Sequence, residues 1–422
     1  MHATDPATIR WCLLPKLDLA VTWPAGSRRA PLAAGVARPW QRLKLTRHGR
    51  HLVVSTTHNQ ARTLAPVFAD QPGIAVRLES YRAWGSSALR SRRATRAVTE
   101  WGVRVLEGIG REDAIRSWRN QVALTSYRLA SYFAADLSGF DSLVVATQHE
   151  PSVRSLIVAA QSQGVPVVYV PHAPAGDNPQ YSDLPTAFAA LRGPAEADHY
   201  VSQYGVPRSA LDVVGNPSTH ILERGLPPLA PDHPGILALS PNPPAMIRRI
   251  IDRVAEAGVA PLVVAPHPRS ERTSLSQMLP SGWTLSARPT VELLRDGAPF
   301  MIQHASGVAW EASALGIPTA KLRLPGEQSH YPFLADDHVY PPLDDAEDVR
   351  RFIDDAPGMD RLELRDYALS WCEVDGDAAV NRLRELLASI ASGERKPSSD
   401  RILDGWLEPG GVSLRASWLP PA

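Results

Sequence analysis

What most constrains this chain is an alternation, run twice, of short apolar segments with longer amphipathic ones. The first run extends from about residue 50 to 217 and the second from 235 to about 391. A Pro- and Gly-rich stretch at 223–235 separates them and reads as a linker. A short apolar run, a helix and another short apolar run close into a parallel pair with a right-handed crossover. Repeated within each half, that unit predicts two parallel sheets covered by helices. Ligands of such sheets sit beyond the carboxyl ends of the strands.

In the first run, strands are expected at 51–55, 74–78, 142–146, 165–170, 186–191 and 211–214. Helices are expected at 60–69, across most of 90–135, at 152–163 closed by Gly164, and at 196–204. In the second run, strands are expected at 235–239, 261–265, 283–286, 299–303 and 319–322, with helices at 245–257, 290–296, 346–355 and 376–391. The division expected is therefore 1–222, 233–392 and an irregular tail 393–422, which carries Pro397, Pro409, Gly410 and Gly411.

Composition removes several classes. Cys12 and Cys372 lie far apart and match no metal or redox spacing, which suits a reduced cytoplasmic protein. No apolar run reaches the roughly 18–20 residues that span a bilayer. Near the N-terminus, Leu13-Leu14 is interrupted by Pro15, Lys16 and Asp18, so no signal-peptide core is present. The zero formal net charge hides a split: residues 1–130 hold 21 Lys and Arg against 8 Asp and Glu. Basic residues crowd 28–50 (Arg28, Arg29, Arg38, Arg42, Lys44, Arg47, Arg50) and 90–96 (Arg90, Arg92, Arg93, Arg96). Such a field attracts an anionic membrane surface, an anionic polysaccharide or nucleic acid; a solvated, arginine-rich surface gives the same composition. No nucleic-acid motif is present, and no nucleic-acid partner is expected.

The strand ends carry the chemistry. Val263-Val264-Ala265-Pro266-His267-Pro268-Arg269 is an apolar strand ending in His-Pro-Arg. A histidine there can stabilise a phosphate leaving group, and Arg269 can add a bidentate contact. Met301-Ile302-Gln303-His304-Ala305-Ser306-Gly307 leads into a helix containing Glu311. Ser306 reads as that helix's N-cap, its hydroxyl and the Gly307 region facing a phosphate, while Glu311 can hold ribose hydroxyls. Ser240 and Asn242 follow the first strand of the second half and can add phosphate contacts. In the first half, His172 ends a strand and can act as the general base for an acceptor hydroxyl. His58 and Asn59, after the strand at 51–55, and His149, followed by Glu150 after the strand at 142–146, can line the acceptor side. There is no Gly-x-Gly-x-x-Gly after the first strand and no Walker motif, which argues against a dinucleotide cofactor and a P-loop. No Cys/His cluster has zinc spacing and no Asp-x-Asp pair ends a strand, so no cofactor and no metal are expected.

Taken in order, Val165 to His172, Gly193, Gly205-Val206-Pro207 and Val213-Val214-Gly215-Asn216-Pro217 resemble the first domain of bacterial GT-B glycosyltransferases. Pro266-His267-Pro268 and Ser306-Gly307…Glu311-Ala312…Gly316-Ile317-Pro318 resemble the second. The pattern is most similar to the group of capsule polysaccharide transferases, CDP-glycerol glycerophosphotransferases and bacterial sialyltransferases, over roughly residues 140–390. The resemblance implies an α/β fold of GT-B type, two Rossmann-like domains facing a central cleft. It implies transfer of a sugar or polyol phosphate from a nucleotide-activated donor, a cytidine nucleotide in that group, to a cell-surface polysaccharide or glycolipid. The partners it implies are a nucleotide-sugar donor and an anionic polysaccharide or lipid-linked acceptor, met in the cytoplasm or at the inner face of the plasma membrane. The chain departs from the group in having His172-Ala173 where the CDP-glycerol enzymes commonly show His-Gly.

Two alternatives share the fold. UDP-N-acetylglucosamine 2-epimerases typically carry Gly-Asp-Arg and His-x-x-Gly-Gly-Glu, where this chain has Thr147-Gln148-His149-Glu150 and His172-Ala173-Pro174-Ala175-Gly176. A non-catalytic polysaccharide-binding relative has no need of His267, Ser306 and Glu311.

Overall fold

The computed structural model describes residues 5–22, 44–69, 73–76, 84–176, 184, 186–223, 225–267, 270–324 and 331–396. Helix α1 (Pro6–Thr22) precedes the first sheet. That half continues with β1 (Lys44–His48), β2 (His51–Ser55), α2 (His58–Phe68), β3 (Gly73–Val76), α3 (Trp84–Gly108) and α4 (Ile115–Phe133). It is completed by β4 (Ser142–Val145), α5 (Pro151–Ser162), β5 (Val167–Tyr169), β6 (Phe188–Leu191), α6 (Pro194–Tyr204) and β7 (Leu211–Val213). The strand order is β3-β1-β2-β4-β5-β6-β7. From β2 to β7 every pair is parallel, while β1 is antiparallel to both its neighbours. The carboxyl ends of β2, β4, β5 and β6 therefore share one edge.

The helical stretch expected over 90–135 is two helices. At its break Gly110 has φ +69°, Arg111 N–H bonds the Leu106 carbonyl at 2.7 Å and Gly110 N–H bonds that of Glu107 at 3.1 Å. A left-handed residue with that hydrogen-bond pair is a Schellman stop, which glycine allows without a Cβ penalty. Helix α5 is buried along Pro151–Ala160, with the sheet on one side and α1 and α4 on the other.

The second half contains β8 (Gly235–Ala238), α7 (Pro244–Glu256), β9 (Leu262–Ala265), α8 (Arg272–Ser276), β10 (Trp283–Leu285), α9 (Thr290–Arg295) and β11 (Met301–Gln303). It goes on with α10 (Val308–Ala314), β12 (Thr319–Leu322), β13 (Pro342–Leu343), α11 (Ala346–Asp355), α12 (Arg361–Trp371) and α13 (Gly376–Ala391). Its sheet is parallel throughout, in the order β10-β9-β8-β11-β12-β13. The chain winds outward from β8 to β10, then resumes at β11 on the other side of β8. The junction of β8 and β11 is thus a topological switch point, where loops diverge and leave a crevice.

Helix α13, the C-terminal segment of the expected 233–392 unit, crosses back to the first sheet. Its Val380, Leu383, Leu386, Leu387 and Ile390 repeat at helical spacing and pack with Val53, Val144, Val168 and Phe188 of the first sheet. Arg384 Nε also donates to the Val67 carbonyl at 2.8 Å. That sheet face needs a cover, and α13 carries the matching stripe. Where the chain leaves the first half and where it returns are tied together: buried Asp375 accepts from Thr219 Oγ1 (3.1 Å), Ile221 N–H (2.5 Å) and Leu222 N–H (3.1 Å). Two Rossmann-like α/β units joined by one linker, with the last helix crossing back, make the GT-B layout.

Arg28, Arg29, Arg38 and Arg42, the Pro268-Arg269 pair and tail residues 397–422 lie outside the described residues. Among the described ones no helix is long and apolar enough to cross a membrane.

Candidate functional site

On the first sheet's edge, His172 follows β5, and its Nδ1 is 2.6 Å from the Ala146 carbonyl at the end of β4. A carbonyl only accepts, so Nδ1 carries the proton and Nε2 keeps its lone pair. Burial lowers the His172 pKa below that of an ordinary histidine, against the opposing pull of the Ala146 hydrogen bond and of Glu150. The ring is therefore neutral at neutral pH, in a base-ready tautomer.

Glu196 fixes the loop that carries it. This carboxylate, 1 % exposed in the first turn of α6, accepts from Ala175 N–H at 2.9 Å and from Arg192 N–H at 2.7 Å. It joins the loop after β5 to the end of β6. Burial raises its pKa, opposed by Arg192 and by those two amides. Sequence reasoning passed over Glu196 and Arg192. The signal was there in Arg192-Gly193-Pro194-Ala195-Glu196: a strand end, a first-turn proline and an acid in the helix's first turn.

The remaining first-half residues divide. Thr147 Oγ1 is 3.0 Å from His149 Nδ1, and burial together with Lys16 and His172 pushes the His149 pKa down to about 3. Its ring is therefore neutral at neutral pH. Thr56 Oγ1 lies 3.4 Å from Glu150 Oε1, which links the loop after β2 to that after β4. His58 and Asn59, at the start of α2 behind the Thr57 cap, are exposed.

In the second half, Ser240 follows β8, His267 follows β9 and Ser306 follows β11, so the three stand on adjacent strand ends around the switch point. Ser240 Oγ donates to the Ala305 carbonyl at 2.5 Å, so its proton braces the two loops across the crevice and only lone pairs remain for a ligand. Asn242 Nδ2 is sealed from solvent with no partner among the described residues. His267 is half-buried, and its carbonyl accepts from Ser270 N–H at 2.8 Å. Arg269 lies outside the described residues.

The expected cap shifts by one residue. Gly307, not Ser306, is the N-cap of α10, and Ser306 Oγ accepts from Val308 N–H at 3.4 Å. Gln303 Oε1 takes the Ser306 amide at 2.9 Å. Gly307 lies against the other half: a Cβ there would be 3.5 Å from the Pro174 ring, two residues beyond His172. The two loops thus meet.

Glu311 is half-buried on α10, and burial raises its pKa, offset in part by Arg192, Arg62 and Arg295. Two of those cations come from the first half. Arg192 is 5 % exposed, stacks 5.0 Å from the Trp310 ring, and has no partner for Nε among the described residues. A cation from one half and a carboxylate from the other thereby border one crevice. Among the described residues no group of three His, Cys, Asp or Glu is placed to hold a metal ion.

The class that the strand orders and the returning helix define is the GT-B fold. No family model matches the chain, and no curated protein matches it. Solved structures similar to it include UDP-GlcNAc 2-epimerase from Neisseria meningitidis bound to UDP-GlcNAc, at 17 % identity over 63 % of this chain and 81 % of that one, TM-score 0.43. The Methanocaldococcus jannaschii UDP-GlcNAc 2-epimerase in complex with UDP-GlcNAc and UDP is 16 % identical over 63 % of this chain and 81 % of that one, TM-score 0.44. The calicheamicin glycosyltransferase is 14 % identical over 72 % and 90 %, TM-score 0.44. Likenesses this loose carry no weight in assigning an activity.

Proposed function

We propose that the protein is a glycosyltransferase that moves a sugar, or a polyol phosphate, from a nucleotide-activated donor to an acceptor hydroxyl. The second half holds the donor: Ser240, Asn242, His267 and Ser306 surround the switch point, and Glu311 takes the ribose hydroxyls. The first half holds the acceptor, and His172 is the base. Arg269 and Gly307 belong to the donor side, His58, Asn59 and His149 to the acceptor side. No metal enters this reading. A cytidine nucleotide is the donor base and a cell-envelope polysaccharide or glycolipid the acceptor, following the resemblance in sequence.

The observation that carries the reading is the His172 geometry. Its Nδ1 is occupied by the Ala146 carbonyl, which leaves the lone pair on Nε2, and its loop touches the loop of Ser306 and Gly307. An acceptor hydroxyl at Nε2 can lose its proton as the donor's phosphate leaves on the other side, where His267 offsets the developing charge.

Thermal shifts with CMP, CDP, UDP, GDP and dTDP identify the base, because a ligand of the folded state raises the melting temperature by mass action. The expected result is selective stabilisation by a cytidine nucleotide, followed by donor turnover only when an acceptor is added. Consumption of a nucleotide sugar without any acceptor would favour the epimerase reading. Binding with no turnover across a broad acceptor panel would favour a non-catalytic relative.

A further inference from the structure

Arg192 follows β6, and hydrogen bonds fix its backbone on both sides. Its N–H donates to Glu196 Oε2 at 2.7 Å, and its carbonyl accepts at 3.1 Å from Glu373 N–H, in the segment that follows α12. Its side chain crosses to α10, where Cζ lies 5.0 Å from the centre of the Trp310 ring. That ring is itself held, since Trp310 Nε1 donates to the Ala368 carbonyl of α12 at 2.8 Å. Trp310 N–H bonds the Gly307 carbonyl at 3.2 Å, so the two residues stand three apart on one face of α10. Pro174 packs at Gly307 and Arg192 at Trp310. Two strand-end loops of the first half, tied together by Glu196, thus meet one face of α10 at points about 4.5 Å apart along its axis.

The guanidinium at the second of those points is unused. Arg192 is 5 % exposed, and its Nε is sealed from solvent without a partner among the described residues. Both Glu196 oxygens are turned to amides, those of Ala175 and of Arg192 itself. The Cys372 thiol is held protonated by burial and donates to the Val374 carbonyl at 3.3 Å, which makes it a poor acceptor. Trp310 offers only its ring face. Nη1 and Nη2 also donate to no acceptor among the described residues, yet they are not sealed, so they keep contact with solvent. A guanidinium withdrawn this far from water with its N–H groups unbonded is costly unless a ligand supplies acceptors. Pro174 of the first half and Ser306, Gly307, Glu311 and Tyr331 of the second are half-buried, so the crevice is open beside Trp310.

We propose that Nη1 and Nη2 of Arg192 donate to a phosphate of the nucleotide donor, which makes Arg192 the first half's own contact to that ligand. The inference rests on the reading of the second half as the donor side. The planar fork of a guanidinium matches two oxygens of a phosphate, and stacking on Trp310 holds the plane of the fork. Ser306, one turn earlier on the same side of the crevice, supplies a hydroxyl to the same group. Glu311, next to Trp310, repels an anion and is left to the ribose hydroxyls. A donor bound in this way is held by both halves at once, and its phosphate bridges the crevice.

Inorganic pyrophosphate is the probe, titrated by calorimetry into the full chain at constant ionic strength. Wild type is expected to bind it saturably. Arg192→Met keeps the length and the apolar contact with Trp310 but removes every donor, and is expected to weaken binding about tenfold or more. Arg192→Lys keeps the charge without the fork and is expected to fall between the two; it carries the test if the Met variant does not fold. A folded Arg192→Met that binds within about twofold of wild type overturns the proposal, as do an Arg192→Lys equal to wild type and a wild type without saturable binding. Pyrophosphate held through Arg192 while no nucleotide raises the melting temperature would keep Arg192 as a phosphate contact and remove the transferase reading. Turnover of a nucleotide donor with pyrophosphate affinity indifferent to Arg192 would do the reverse.

Discussion

The two sheet edges that meet at the crevice are built from different chemistry. The first presents titratable groups whose protonation is set by burial: His172 neutral with a defined tautomer, His149 driven to about 3, Glu196 raised. The second presents, beside His267 and a Glu311 whose pKa burial raises, hydroxyls, an amide and loop backbone braced by neutral hydrogen bonds, such as Ser240 to Ala305 and Ser306 N–H to Gln303. On the proposed function, one edge moves a proton and the other holds the donor still, so that one fold repeated in the chain would be specialised by what stands at its strand ends.

The largest expected effect separates those roles. His172→Ala should lower kcat by about 100-fold or more while nucleotide affinity stays within about twofold, the pattern of a group used in the transition state. Equal loss of both would break the contrast between the edges. With His172 intact, the acid limb of kcat should fall below the ordinary histidine pKa of about 6.5, because burial lowers the folded-state value.

His149→Gln tests the same edge through stability. A buried histidine whose folded pKa lies near 3 leaves the unfolded chain to bind the proton first. Its contribution is whole above about pH 6.5 and is lost as the pH falls from there toward 3. Between pH 7 and 5 the wild type should lose at most about 2 kcal/mol through this group, read from urea midpoints, and the variant should lose correspondingly less. An unchanged pH slope would show that water reaches the ring.

On the opposite edge, Glu311→Gln should weaken nucleotide binding about tenfold, or about 1.4 kcal/mol, by calorimetry, with little change in kcat at saturation. If kcat falls instead, Glu311 serves the reaction and the division of labour is wrong. The smallest effect is expected on the outer surface. Arg92, Arg93 and Arg96 are exposed on α3. Reversing them should cost about 1 kcal/mol per residue or less in binding to anionic vesicles, and that cost should vanish at high salt. Equal vesicle binding by both proteins would leave these arginines as a solvated surface.

The alternation was legible because period and punctuation coincide. Helix α13 is bounded at 376–391 by its apolar spacing, and α5 by Pro151 and Gly164. What was not legible is where an element goes once formed. Nothing local in α13 tells which sheet its leucines will cover. Helix α1 was invisible for another reason: Pro15 sits inside it, and its buried residues surround the helix instead of forming a stripe. At the site, the histidines stood out because they end strands. Glu196 and Arg192 did not, because a carboxylate or guanidinium looks like surface until burial and partners are known.

The returning helix bears on how the protein is made. Synthesis proceeds from the N-terminus, so the first sheet is complete in sequence at residue 213 but lacks its α13 cover until residue 391 has been added. Through the whole synthesis of the second unit, Val53, Val144, Val168 and Phe188 wait on a face without its native lid. The halves cannot mature one after the other like beads on a string. The first to be translated is the last to be sealed, and a ribosome stalled before residue 376 holds an open apolar sheet, the kind of nascent chain that holding chaperones recognise.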